Sequence, residues 1–269
     1  MRPVIGILPA AGLGSRLHPF AYPKELLPIG YRWSADHQEV APSLVIEHSL
    51  DAMAFAGITR CLLIVSPNKS EVVRVLGAGT ARGPRLAYVV QPQPAGLADA
   101  ILQARPFIAD LDCNACLALP DTWFRPIDAL ERVTRELDAT GADLMFGVFP
   151  TTTPEQLGPV GIRPDGTVEF VLEKPAVSPC RNTWGVAAWT PRFFQLLDEE
   201  SKRSTDDLLL QHVFDRACRT PGLSVRAVEF PTGSYLDLGT RRGIGQALAQ
   251  QRRHARQSRS AHRRSTVTT

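Results

Sequence analysis

Val4-Ile-Gly-Ile-Leu8-Pro-Ala-Ala-Gly12-Leu-Gly14-Ser-Arg16-Leu17, an apolar run passing directly into a loop of small residues, is the stretch on which the fold turns. Val4–Leu8 reads as a buried strand. The loop behind it suits a polyphosphate: small side chains let backbone N–H groups approach an anion closely, and Arg16 adds a planar cationic fork. A dinucleotide-binding turn would need a third glycine where Leu17 stands, and a P-loop would need Gly-Lys-Ser/Thr; neither is present. Pro23-Lys24-Glu25-Leu-Leu-Pro28 then sets a lysine just beyond the loop.

From this start, short apolar runs alternate with helix-length segments. Helical spacing covers 43–55, 70–76, 96–103 and 127–139, and strands are expected at 60–65, 86–90, 116–119 and 143–148. The alternation predicts a mostly parallel central sheet with helices on both faces and ligands at the carboxyl ends of its strands. The second half is less regular, with strands expected at 167–172, 186–189 and 225–230 and helices at 206–217 and 243–254. Residues 29–42 form a polar insert, too long for an ordinary connection, with Arg32, Trp33, Asp36 and His37 inside it; we read it as a lid loop or a partner surface.

Composition bounds the function. Of 269 residues 44% are hydrophobic and 21% charged, which supports a sizeable core, and no apolar run reaches membrane-spanning length. The net charge of +3 belongs to the end of the chain: residues 251–269 hold six arginines and no acid, leaving 24 Lys+Arg against 27 Asp+Glu in the rest, a net −3. We expect one domain over 1–250 and a basic, disordered tail over 251–269. No nucleic-acid or membrane partner is expected. The N-terminus lacks a basic region followed by an apolar one. Five cysteines make no disulfide framework, and Cys113-x-x-Cys116 has no second pair, so the expected compartment is the reducing cytoplasm.

Further motifs follow the first in a fixed order: Gln91-Pro-x-Pro-x-Gly96-Leu-Ala98, Leu119-Pro-Asp121, Glu173-Lys174-Pro175, Asn182-Thr-Trp-Gly185 and Gly233-Ser-Tyr-Leu-Asp237-Leu-Gly239-Thr240. Together with Ala-Gly-x-Gly-Ser-Arg-Leu-x-Pro and Pro-Lys-x-Leu-Leu-Pro, the set resembles the sugar-phosphate nucleotidylyltransferases, most closely the glucose-1-phosphate thymidylyltransferase branch. The resemblance implies an α/β, Rossmann-like nucleotidyltransferase fold with a smaller sugar-binding part. It implies transfer of a nucleoside monophosphate from dTTP or UTP to a hexose 1-phosphate, with release of pyrophosphate.

Residue by residue, the resemblance assigns Ala11, Gly12, Gly14, Ser15, Gln91 and Gly96 to the nucleotide, with Gln91 reading the base. Arg16 and Lys24 would act on the phosphates, and Lys174 on the sugar 1-phosphate. Gly161, Glu173, Asn182 and Gly185 would shape the sugar pocket. Asp121 and Asp237 would share one Mg²⁺, a hard ion suited to carboxylates and phosphates. A second copy of the chain is a further partner to consider. Departures from the family pattern are Pro120 before the aspartate, Val160 where an aromatic is usual, and the insert. Two other readings stay open: cytidylyl-type transfer to a phosphorylated alcohol, and a non-catalytic nucleotide-binding regulator.

Overall fold

Period-two alternation along the strands decides where the layers lie. In the computed structural model Ile5, Ile7, Ala115, Leu117, Phe146 and Trp189 enter one core, while Leu8, Cys116, Ala118, Met145 and Ala188 enter another on the opposite face. The structure describes residues 2–17, 19, 22–34, 38–80, 83–204 and 208–249, with backbone alone at 32–34. In chain order the elements are β1 (Val4–Pro9), β2 (Pro28–Ser34), β3 (Glu39–Leu44), α1 (Glu47–Phe55), β4 (Arg60–Val65), α2 (Ser70–Leu76) and β5 (Arg85–Val90). Next come α3 (Gly96–Leu102), α4 (Arg105–Ile108), β6 (Asn114–Ala118), β7 (Thr122–Arg125), α5 (Ala129–Thr140) and β8 (Leu144–Pro150). β9 (Val160–Ile162), β10 (Val168–Val171), β11 (Asn182–Trp189), α6 (Pro191–Arg203), α7 (Leu210–Arg219), β12 (Val225–Glu229) and β13 (Ser234–Asp237) complete them, before a helix over 241–249.

Seven strands form the central sheet in the order β12-β8-β11-β6-β1-β4-β5. All its pairings are parallel except the two made by β11, which runs antiparallel to both β6 and β8. Helices α3, α4, α6 and α7 cover one face, and α1, α2 and α5 the other. The second layer packs closely because β1 carries Gly6: a Cβ there would lie 2.6 Å from Met53 Sδ of α1. Among the described residues no helix is long and apolar enough to cross a membrane.

Several expectations need correction. The insert is a β-hairpin, not a loop: β2 and β3 pair antiparallel, with Tyr31 opposite Pro42 and Trp33 opposite Val40. Alternating apolar residues (Ile29, Tyr31, Trp33) supply the strand period among polar neighbours. Ile29 is buried with Val45, Leu238 and Ala247, so the hairpin base is fastened to the last helix. Asp36 and His37, the side chains of Arg32 and Trp33, and the tail over 251–269 lie outside the described residues. The first helix begins at Glu47 rather than at 43, and β11 extends back to Asn182. The helix expected at 206–217 is observed over Leu210–Arg219. α6 was not expected, although Pro191 at its first turn and buried Phe193, Phe194, Leu196 and Leu197 carry the helical signal.

His48 joins α1 to β7: its Nε2 accepts the Phe124 N–H at 3.1 Å, and its ring lies edge-on to Trp123 and Phe124. Part of the residue reaches solvent, yet burial, aided by the Arg125 charge, lowers its pKa to about 3 from 6.5. The folded state thus refuses a proton that the unfolded chain takes up, and stability falls as pH drops below 6.5. From pH 7 to 5.5, before most carboxylates titrate, this group should remove about 1 kcal/mol. Urea midpoints across that range should fall in the parent chain and flatten in His48→Gln; equal slopes would refute the assignment.

Candidate active site

The loop that follows β1 turns at Gly14, whose φ of +69° suits glycine, and closes in a short 3-10 turn at Ser15–Leu17. The Leu17 N–H donates to the Gly14 carbonyl at 3.0 Å. A Cβ at Gly12 would meet nothing within 4 Å, so that side of the loop is open. Ala11, Gly12, Gly14, Lys24 and Gln91 line one cavity of about 490 Å³.

A buried ion pair holds this loop against the segment carrying Lys24. Glu25 is fully buried, and the Lys69 ammonium donates to both its carboxylate oxygens (2.9 and 3.0 Å) and to the Ala10 carbonyl (2.6 Å). Burial lowers the Lys69 pKa despite the glutamate. Sequence reasoning missed Lys69, since a lone lysine 44 positions from its partner leaves no local pattern.

The two aspartates are brought together by a short antiparallel ladder rather than by the ends of the main sheet. β13 pairs with β7 so that Asp237 faces Thr122, and the Leu238 N–H donates to the Asp121 carbonyl at 2.8 Å. At Gly239 a Cβ would stand 2.6 Å from Asp121 Oδ2, 2.9 Å from Asp237 Oδ1 and 2.8 Å from an Arg16 nitrogen. Both carboxylates therefore face one common space that only glycine leaves open. Lys24 pairs with Asp121, and Arg16 with Asp237 at 2.7 Å. Burial works against the Lys24 charge, but Asp121 outweighs it and raises the pKa above the usual lysine value. Burial, with Asp237 and Asp121 next, pushes the Tyr235 hydroxyl well up, so it stays neutral.

Gln91 is buried, and its amide nitrogen donates to the Gly96 carbonyl (3.1 Å) and to Asp99 Oδ2 (2.6 Å). Both partners are pure acceptors, which fixes the amide orientation and leaves only Oε1 to a ligand. Toward a base Gln91 thus offers an acceptor alone. Gly96 opens α3 with φ +89°.

A second cavity, about 720 Å³, is lined by Arg16, Leu157, Tyr235 and Asp237. Lys174 stands beside it: its N–H donates to the Leu157 carbonyl at 3.0 Å, its φ of +40° is strained for a lysine, and its ammonium pairs with Glu173 Oε1 at 2.9 Å. Glu173 Oε2 is buried with no hydrogen-bond partner among the described residues. The other assigned positions have packing reasons. Asn182 clamps both backbone groups of Val160 (2.9 and 3.0 Å), a Cβ at Gly161 would strike Phe170 at 2.3 Å, and one at Gly185 would meet Tyr235 at 2.7 Å.

The profile of a family described as nucleotidyl transferase matches residues 5–253. The chain belongs to that family. Among curated relatives, glucose-1-phosphate thymidylyltransferase of Neisseria gonorrhoeae is 32% identical over 173 residues, covering 63% of this chain and 55% of the relative. The enzyme of the same name from Streptomyces antibioticus is 28% identical over 237 residues, covering 85% and 62%. The chain spans about half the length of the curated relatives it matches, 55% and 51% of the first two. Among solved structures, a UTP-bound UGPase from Acinetobacter baumannii superposes with a TM-score of 0.72 at 21% identity, covering 92% of this chain and 93% of that one. A UDP-glucose pyrophosphorylase complexed with UDP-glucose gives 0.76 at 19%, covering 94% and 100%. The fold is theirs: an α/β Rossmann-like nucleotidyltransferase sheet.

Removing one member of the buried pair should leave the other charge unpaired. Lys69→Met is expected to destabilise the chain by about 3–5 kcal/mol, and Lys69→Met with Glu25→Gln by clearly less. Urea unfolding of the two single variants and the double variant checks this; additive losses would refute the pairing.

Proposed function

We propose that this chain joins a pyrimidine nucleoside triphosphate, dTTP or UTP, to a hexose 1-phosphate, forming an NDP-sugar and pyrophosphate. The observation that carries the reading is the meeting of two cation–carboxylate pairs, Lys24–Asp121 and Arg16–Asp237, at the open space beside Gly239. The cluster gives a residue to each of the two cavities: Lys24 lines the first, and Arg16 and Asp237 the second.

In this mechanism an oxygen of the sugar phosphate attacks the α-phosphorus, a new O–P bond forms, and the bond to the β-phosphate oxygen breaks. No covalent enzyme intermediate is needed; the chain's work is alignment and charge stabilisation. Backbone amides of the Ala11–Ser15 loop receive the triphosphate, Arg16 turns to the departing phosphates, and Lys24 bridges the reacting ones. Lys174 holds the sugar 1-phosphate, and Glu173 Oε2, lacking a donor, accepts from a sugar hydroxyl. Gln91 Oε1 accepts from the base, which suits the N3–H of thymine or uracil.

The same charge arithmetic favours a divalent ion. When Arg16 and Lys24 turn to phosphates, Asp121 and Asp237 lose their cations together, and two unpaired carboxylates facing one space repel. Hard oxygen donors of this kind fit Mg²⁺, with Asp121 and Asp237 holding it. When bound, such an ion supplies charge neutralisation on the phosphates.

Pyrophosphate release across a panel of triphosphates and sugar phosphates tests the reading; no release with any pair would end it. Asp121→Asn and Asp237→Asn should each lower turnover by more than roughly a hundredfold, about 3 kcal/mol; near-normal turnover in the double variant would exclude the pair. Gln91→Ala should lose about 1–3 kcal/mol in kcat/KM for dTTP or UTP. Asp99→Ala should blur the same base preference by freeing the amide. Unchanged ratios across the four bases would show that Gln91 does not read the base.

A further inference from the structure

The second cavity reaches the Arg16–Asp237 pair and carries positive charge beyond it. Besides Arg16, its wall carries Arg181 and Arg242. Arg16 is committed to Asp237, whereas neither Arg181 nor Arg242 has a side-chain ion pair or hydrogen bond among the described residues. The two come from separate elements. Arg181 immediately precedes β11, and its carbonyl accepts the Thr151 N–H at 3.0 Å, which fixes the backbone at the end of β8. Arg242 lies in the first turn of the helix over 241–249, just past the Asp237–Thr240 turn, where the Gly243 N–H donates to Thr240 Oγ1 at 3.1 Å. Thr151, Thr152 and Thr153 add hydroxyls to the same wall.

In the reaction proposed above, Arg16 and Lys24 serve the triphosphate and Lys174 the 1-phosphate, so two guanidinium groups on one concave wall remain without an anion. An anion in a cavity lined by two cations is attracted to both. A guanidinium presents a planar fork of donors that matches carboxylate and phosphate oxygens.

We propose that the acceptor is a sugar 1-phosphate bearing a second anionic group, held by Arg181 and Arg242. This rests on the nucleotidyl-transfer reading and narrows its acceptor from a neutral hexose 1-phosphate to an anionic one. The second group is a carboxylate or a further phosphate on the sugar, chemistry that the two arginines share.

The test uses the full chain with dTTP and UTP and three acceptors: glucose 1-phosphate, glucuronic acid 1-phosphate and glucose 1,6-bisphosphate. At least one anionic acceptor should exceed glucose 1-phosphate in kcat/KM by roughly tenfold or more. That preference should collapse toward unity in Arg181→Gln with Arg242→Gln and be partly kept in Arg181→Lys and in Arg242→Lys. The arm that wins separates carboxylate from phosphate. Calorimetric affinities with an unreactive triphosphate analogue should rank the acceptors in the same order, with or without turnover. Equal or better use of glucose 1-phosphate by the parent chain overturns the inference while leaving nucleotidyl transfer standing. A preference that survives in the double glutamine variant also overturns it. No turnover with any acceptor, together with no binding, removes the nucleotidyl-transfer reading itself.

Discussion

Two carboxylates that face one space repel, and in this chain their closeness is imposed by backbone rather than by their own attraction. The four-residue ladder between β7 and β13 sets Asp237 opposite Thr122, and the Leu238 N–H grips the Asp121 carbonyl. Lys24 and Arg16 then supply the compensating charges. The loop after β1 delivers Arg16, the segment after it delivers Lys24, and Gly239 leaves the shared space open. Under the proposed function, a polyanion entering here would compete with the carboxylates for their cations. The four-residue cluster is therefore neutral at rest, but its pairings can be exchanged.

Exchange of partners requires a frame that does not yield, and the Glu25–Lys69 pair provides one. It lies directly beneath the loop and joins three stretches distant in sequence: the end of β1 through the Ala10 carbonyl, the Lys24 segment through Glu25, and the start of α2 through Lys69 itself. A buried ion pair of this kind adds little net stability over an apolar pair of the same volume, but losing one partner is costly. Its contribution here is geometric. Glu25 stays buried while its neighbour Lys24 points to Asp121, so adjacent residues divide the tasks of anchoring and contact.

Much of this was legible in the sequence, for reasons specific to each element. Strands of the central sheet announce themselves because both their faces are buried, as at Arg60–Val65 and Leu144–Pro150. The motif order indicated that Asp121 and Asp237 belong together, and the structure brings them together. The means was hidden, because a ladder of four half-buried residues is too short to show a period. The hairpin over 28–44 was obscured by polar residues interleaved with Ile29, Tyr31 and Trp33. Lys69 and Asp99 escaped notice because each matters through a partner: one reaches a glutamate far back in the chain, the other restrains Gln91. Asn182, Gly161 and Gly185, read from motifs as sugar contacts, have close packing partners that explain their residue types.

The most direct test of the shared-ion account is Mn²⁺ binding, followed by electron paramagnetic resonance in the presence of an unreactive triphosphate analogue. The parent chain, Asp121→Asn, Asp237→Asn and the double variant would be compared. If Asp121 and Asp237 together hold one ion, each single variant weakens binding strongly and the double variant loses much less than the sum of the two. Independent, additive losses, or a single variant that binds Mn²⁺ as the parent does, would contradict it.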